Sequence, residues 1–247
     1  MLKKIVILAD SLSLPRPKKD IGNIRYEDTY PYLLDISLRK KLGHEAPIVT
    51  EKGKRYRTIT EVAADWREYV TWRKPEMVVV QVGITDCAPR VFSSTQRSKI
   101  ERIRPLFLRT ILLKLVHRYR RNIIESSRTK VYVPIEEYRE TVARLVKLAE
   151  SDNVRLLVFV KIAVPPAFVE NRSPGLQRNV LLYNSVLEQY KDSRGVHIVD
   201  LNEVFGTEEY MDEFLLEDGQ HYNAEGSRLV AQHLEKLAIS VLYEGGS

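Results

Sequence analysis

The sequence predicts an α/β protein: a doubly wound, parallel five-stranded sheet with helices on both faces and a basic helical insertion. Two observations predict it. Short apolar runs alternate along the chain with segments of helical spacing, the pattern of successive strand–helix–strand units. Four of the five apolar runs are rich in β-branched residues and nearly continuous, as expected of parallel strands covered on both faces.

The runs are Lys4 to Leu8, Ala46 to Thr50, Met77 to Val82, Val154 to Ile162 and Val196 to Leu201, the second being the weakest. Between them, Tyr30 to Leu42 carries Leu33, Leu34, Ile36 and Leu38 at helical spacing, with Gly43 as its stop. Ile59 to Trp72 presents Val62, Ala63, Trp66, Tyr69 and Val70 on one broad face. Pro134 suits the first turn of a helix whose Val142, Leu145, Val146 and Leu148 face inward. Val180 to Tyr190 and Ala224 to Leu242 complete the helical set. Residues 1–244 are expected to form one domain, with the insertion at about 91–127. Gly245-Gly246-Ser247 reads as a tail or an expression remnant.

Composition excludes several classes. Of 247 residues, 44% are hydrophobic and 29% charged, ordinary for a globular protein. The single cysteine, Cys87, cannot form an internal disulfide, so a reducing compartment is tolerated. The apolar run after Lys3-Lys4 ends at Asp10 after five residues, too short for a signal peptide and better read as a buried strand. No stretch approaches the ~20 apolar residues of a membrane span. A cytoplasmic location, peripheral to a membrane at most, is expected. No metal or organic cofactor is expected, because no His/Cys/carboxylate cluster has ligand spacing.

The net charge of +6 is segregated. Arg90 to Lys130 holds twelve Lys/Arg and two Glu, leaving the rest of the chain at −4. Within this segment Leu106-Phe107-Leu108, Ile111-Leu112-Leu113 and Leu115-Val116 alternate with cations and lead into His117-Arg118-Tyr119-Arg120-Arg121. Such an amphipathic basic helix fits a solvated cover on the core, a membrane-surface or lipid-phosphate contact made by Arg118, Arg120 and Arg121, or a nucleic-acid patch. The cover is the commonest use. Nucleic acid ranks last, since no recognised binding motif accompanies the charge.

In open α/β sheets, sites form beyond the carboxyl ends of the strands. Three motifs fall there. Ala9-Asp10-Ser11-Leu12-Ser13 follows the first strand, placing a hydroxyl where backbone N–H groups can stabilise an oxyanion. Val82-Gly83-Ile84-Thr85-Asp86 follows the third, with Gly83 permitting a sharp turn. Asp218-Gly219-Gln220-His221 precedes the last helix, and Asn223 is placed to cap it. An aspartate three residues before a histidine can hold one imidazole nitrogen and leave the other to accept a serine proton. Taken singly, the first two motifs read more readily as capped turns. His44, His117 and His197 lack comparable companions and are assigned to packing or surface roles.

Taken together, the three blocks resemble the SGNH/GDSL esterase and acyltransferase superfamily. Asp10-Ser11-Leu12 matches its GDS-type motif, Gly83-Ile84-Thr85-Asp86 its GxND motif, and Asp218 with His221 its DxxH motif, over nearly the whole chain. The resemblance implies a flavodoxin-like SGNH fold, with Ser11 as nucleophile, His221 as base and Asp218 as its orienting partner. It also implies an oxyanion hole made by the Ser11 N–H, a glycine after strand two and an asparagine after strand three. Gly53 fits the glycine loosely. Thr85 stands where the asparagine is expected, and Ala9 replaces the usual glycine before Asp10. A specialised acceptor, an alternative donor in Arg16 or Arg90, or weakened catalysis would each accommodate Thr85. Arg16 and Arg90 can border the same crevice and suit a carboxylate or phosphate, or they are surface arginines.

The expected activity is cleavage or transfer of an ester-linked acyl group, on a small molecule or a carbohydrate such as a lipid-linked surface-polysaccharide precursor. Two alternatives stand beside it: a group transferase in which Asp10 or Asp86 does the chemistry, and a catalytically weak carbohydrate- or lipid-binding protein.

Overall fold

A computed structural model describes residues 3–17, 22–92, 96, 99–100, 102–126, 130–206 and 213–244. Its elements are β1 (Lys4–Ala9), α1 (Tyr30–Leu42), β2 (Ile48–Gly53), α2 (Ile59–Trp66), β3 (Met77–Gln81), α3 (Ile84–Cys87), α4 (Leu106–Arg118), α5 (Arg120–Ser126), α6 (Ile135–Ser151), β4 (Leu156–Val160), α7 (Ala167–Arg172), α8 (Leu176–Glu188), β5 (Val196–Val199), α9 (Leu201–Phe205) and α10 (Ala224–Tyr243). The expected tail at 245–247, part of the insertion and the side chain of His117 lie outside the described residues.

The sheet is all parallel, in the order β2-β1-β3-β4-β5. β1, β3 and β4 are buried almost throughout, which is why their runs are continuous instead of alternating. One face packs Val6, Leu8, Val78, Val80, Leu157 and Phe159 against α2, α6 and α8. The other packs Ile5, Ile7, Val79 and Val158 against α1, α9 and α10. Burying a Leu- or Val-sized side chain contributes roughly 1.5–3 kcal/mol each, so these two apolar layers are the main force holding the strand ends in place.

Several boundaries differ from the sequence reading, each for a physical reason. β2 runs over Ile48–Gly53, not Ala46–Thr50, because an edge strand is only half covered and its Glu51 and Lys52 hide its apolar signal. The segment after Ile59 is α-helical only to Trp66 and continues as a π-helical turn over Arg67–Thr71. Thr58 starts α2 with a capping box to Glu61. Pro134 is the cap preceding α6, and Leu148 is half-buried beside the fully covered Leu145 and Ala149. α8 begins at Leu176, a turn before Val180, immediately after Pro174-Gly175. The insertion forms α4 and α5. Ile124 of α5 is buried, whereas Leu106, Phe107, Leu108, Ile111 and Leu115 of α4 are exposed.

Candidate active site

Ser11 follows β1 directly. Ala9 pairs with Gly53 on one side and Gln81 on the other, so the chain leaves the sheet from an interior strand. Asp10 then closes a short 3-10 turn over Ser11–Ser13 by accepting the Leu12 N–H at 3.0 Å. Asp10 itself is fully buried, with its second oxygen unbonded among the described residues. Desolvation pushes its carboxyl up to about 7 against the opposing pull of the Leu12 N–H and Arg16.

The Asp218–His221 turn is held by backbone bonds from Leu216 N–H to His221 C=O, 2.7 Å, and from Gly219 N–H to Leu216 C=O, 2.8 Å. Gly219 has φ +67°, and a Cβ there would meet Val169 Cγ2 at 2.6 Å. Asn223 caps α10 through the Gly226 N–H at 2.9 Å, fixing the turn to a long helix. Asp218 Oδ1 accepts the N–H groups of Gln220 and His221, each at 3.0 Å, and Oδ2 lies 2.5 Å from His221 Nδ1. Burial raises the Asp218 carboxyl, but these bonds, the His221 ring foremost, outweigh it and hold it below the ordinary range. With Asp218 ionised, Nδ1 carries the proton and Nε2 is left as the acceptor. Ser11 Oγ sits 2.9 Å from that Nε2.

The structure thus brings Ser11, His221 and Asp218 into one hydrogen-bonded chain. Ser13 is excluded from it, because its hydroxyl is buried and donates to Glu51 Oε1 at 2.7 Å. Arg16 reaches the same Nε2 with its guanidinium, so Ser11 and Arg16 compete for one acceptor. Its backbone is fixed by a two-bond bridge to Ile24.

A cavity of about 620 Å³ opens on this chain of residues, and Thr85, Arg16 and Arg90 line it as well. Thr85 lies in α3 with its side chain buried, and its carbonyl accepts from Arg90 Nη2 at 3.0 Å. The Arg90 guanidinium lies 4.5 Å over the Tyr132 ring, and the Arg90 backbone N–H donates to Lys130 C=O at 2.8 Å. Four other expected site residues do not line the cavity. Gly53 is the last residue of β2, packed on Ser13 and Leu14, where a side chain would collide with both. Gly83 has φ +139° and lies against Ile162, a turn only glycine makes easily. Asp86 is buried and accepts the Ile59 N–H at 2.8 Å, tying β3's end to α2. Desolvation first, and the charge of Asp10 after it, push Asp86 up to about 7. Asp10 and Asp86 therefore build the floor of the site and do not face a substrate.

Residues that sequence reasoning passed over also line the cavity. Arg55 and Tyr56 follow β2, in a loop pinned by Arg57, which is 1% exposed and bonds Lys52 C=O at 2.5 Å and Asp65 at 2.5 Å. Arg172 and Ser173 end α7, after β4. The strand-end rule that located Ser11 and Thr85 points to both segments. Arg120, expected at an outer surface, turns inward instead. It donates to Pro89 C=O at 2.8 Å and Ser173 Oγ at 2.9 Å. Burial, then Arg90 and Arg172, lower its proton affinity.

Known proteins share this architecture. The model of the GDSL-like lipase/acylhydrolase family matches residues 18–229, which include Asp218 and His221 and begin just after the Ser11 turn. The chain belongs to that family. It is a hydrolase of the ester-cleaving, acylhydrolase type. No curated protein matches it in sequence. Among solved structures it is similar to a lipase/acylhydrolase from Enterococcus faecalis, with 14% identity, TM-score 0.62, and 96% of this chain and 95% of that one covered. It is similar to an α/β hydrolase enzyme from the Lake Arreo metagenome, with 22% identity, TM-score 0.61 and coverage of 94% and 93%. It is also similar to an acetylxylan esterase from Geobacillus stearothermophilus, with 19% identity, TM-score 0.57 and coverage of 95% and 93%. At these identities the neighbours establish the fold. Among the described residues no helix is long and apolar enough to cross a membrane.

Proposed function

We propose that this family member cleaves a carbohydrate-borne acyl ester through a covalent acyl-Ser11 intermediate. The carrying observation is the Ser11 Oγ to His221 Nε2 contact of 2.9 Å, backed by Asp218 on Nδ1. On attack, Oγ bonds the acyl carbon and its proton passes to Nε2. Asp218, held ionised, stabilises the imidazolium without taking its proton. The carbonyl oxygen becomes an oxyanion beside the Ser11 N–H, which opens a helical turn and has no partner within it. The Thr85 hydroxyl is the second donor, in the position the family gives to asparagine. Collapse expels the alcohol, protonated by His221. Water, or a sugar hydroxyl in the transferase variant, then repeats the sequence and frees Ser11. Arg16 must leave Nε2 before the first step, so its release is part of substrate engagement.

The carbohydrate half of the reading is supported by the size and polar lining of the cavity and by a structural neighbour named for acetylxylan. A peripheral membrane contact is supported by α4. Leu106, Phe107, Leu108, Ile111 and Leu115 are each about half exposed on a helix that also carries Arg109, Lys114 and Arg118. Arg118 and Arg121 remain available to such a surface; Arg120, turned into the cavity, does not. The experiment is turnover of an acetylated oligosaccharide and of an aryl acetate by wild type, Ser11→Ala, His221→Ala and the double variant. Each single change is expected to remove nearly all turnover in a folded protein, and the double to be little worse. Full activity in Ser11→Ala would end the serine mechanism.

A further inference from the structure

Beside the triad, the cavity lining carries charge that ester cleavage does not require. Five of the cavity's seventeen described lining residues are arginines: Arg16, Arg55, Arg90, Arg120 and Arg172. None is a lysine, and the single carboxylate among them, Asp218, is committed to His221. The arginines come from four separate parts of the chain, after β1, after β2, around α3 to α5, and at the end of α7. The topology therefore assembles them at one place.

Like charges so gathered repel one another, and burial makes the repulsion costlier. Burial first, and the neighbouring charges of Arg90 and Arg172 after it, lower the proton affinity of Arg120. Arg120 is oriented by a carbonyl and a serine hydroxyl, and Arg90 by a carbonyl and the face of Tyr132. The Arg172 side chain makes no hydrogen bond or ion pair among the described residues. Guanidinium groups kept planar and aimed into a cavity match the paired oxygens of a phosphate or carboxylate, whereas an acetylated neutral sugar offers nothing for them to neutralise.

We propose that the Arg90–Arg120–Arg172 wall is an oxyanion subsite, and that the substrate is an ester bearing a phosphate or carboxylate beside its acyl group. The proposal rests on the ester-cleaving reading above and names its substrate class. It also gives Arg16 a reason to leave His221, since an anion in the cavity competes for its guanidinium.

The test has a binding arm and a kinetic arm. In the first, inorganic phosphate and malonate are titrated against wild type, Ser11→Ala, Arg172→Gln and Arg120→Gln/Arg172→Gln, reading melting temperature and direct calorimetry. Wild type and Ser11→Ala are expected to bind with a salt-sensitive rise in melting temperature, and the arginine variants to lose at least tenfold in affinity. Phosphate binding more tightly than malonate assigns the wall to phosphate, and the reverse assigns it to carboxylate. In the second arm, kcat/KM is compared for phenyl acetate, 4-carboxyphenyl acetate and 4-phosphonophenyl acetate. The anionic-to-neutral ratio is expected to fall at least tenfold in both arginine variants. Arg172 is exposed, so its single variant guards against a folding defect in the double. Neither anion binding wild type at millimolar concentration, or a ratio unmoved in Arg172→Gln and in the folded double variant, overturns the subsite. Turnover surviving in Ser11→Ala while phosphate still binds overturns the serine reading alone.

Discussion

The two walls of the cavity are built on opposite principles. On one, Ser11, His221 and Asp218 form a chain in which each polar atom is satisfied by the next, and two backbone N–H groups fix the carboxylate. On the other, Arg120 is held by the Pro89 carbonyl and the Ser173 hydroxyl, and Arg90 and Arg172 share the cavity with it. A preorganised wall stabilises charge that develops during reaction and needs no partner at rest. The proposed subsite assigns chemistry and selection of substrate to different residues, and mutations should separate them.

The largest effect is expected on the first wall. Asp218→Asn should lower kcat by about 10³–10⁴-fold, because an amide can no longer hold the Nδ1–H tautomer and stabilise the imidazolium. KM should move little. A loss confined to KM would mean that Asp218 serves binding and the two walls are not distinct. Next comes the seam between them. Thr85→Val removes the proposed second oxyanion donor at nearly constant volume and should cost about 10²-fold in kcat on neutral and anionic esters alike. Thr85→Asn should raise turnover of a short aryl ester if threonine is the weaker donor. Equal rates in all three proteins would place position 85 outside the oxyanion hole.

How much of this contrast was legible in the sequence follows from how each wall is made. The triad wall is written in short local motifs. Asp218 and His221 lie within one turn, Ser11 follows a strand readable from its apolar run, and α1 begins and ends where its spacing and Gly43 indicate. Of the arginines, Arg16 and Arg90 are readable from their place after Ser11 and Asp86, whereas Arg55 and Arg172 belong to no motif. Arg55 and Arg172 become neighbours of Ser11 only because β2 and β4 end on the same edge of the sheet. The end of β2 was itself misplaced, its polar Glu51 and Lys52 concealing an edge strand. Arg120 illustrates the same limit from the other side. Its charge was evident, but its inward direction depends on α5 packing on α7, and on Pro89 and Ser173 as acceptors.

A smaller effect concerns the outer helix. Replacing Leu106, Phe107 and Ile111 with Ser should weaken binding to anionic liposomes several-fold, and raising salt should weaken it further through Arg109, Lys114 and Arg118. Absence of wild-type binding at low salt would make α4 a plain solvated cover. The smallest lies in the floor. Asp86, facing Asp10, Arg90 and Tyr138, has a folded-state pKa raised to about 7 from the usual 3.8, with burial the main cause. The folded protein then binds more protons than the unfolded chain between those values, so this group's contribution to stability falls as pH rises from about 4 to 7. Asp86→Asn keeps an acceptor for the Ile59 N–H and has no such slope. Its melting temperature relative to wild type should therefore climb by a few degrees across that window and level off above it. A constant difference from pH 4 to 8 would mean that Asp86 is charged throughout.

The central claim, that His221 and Asp218 make Ser11 a nucleophile, is tested most directly by covalent trapping. Treatment of wild type with a fluorophosphonate and peptide mass spectrometry should reveal a single adduct on Ser11. His221→Ala should label far more slowly, and Ser11→Ala not at all. An unlabelled wild type, or an adduct on Ser13 or another residue with Ser11 unmodified, would contradict the account.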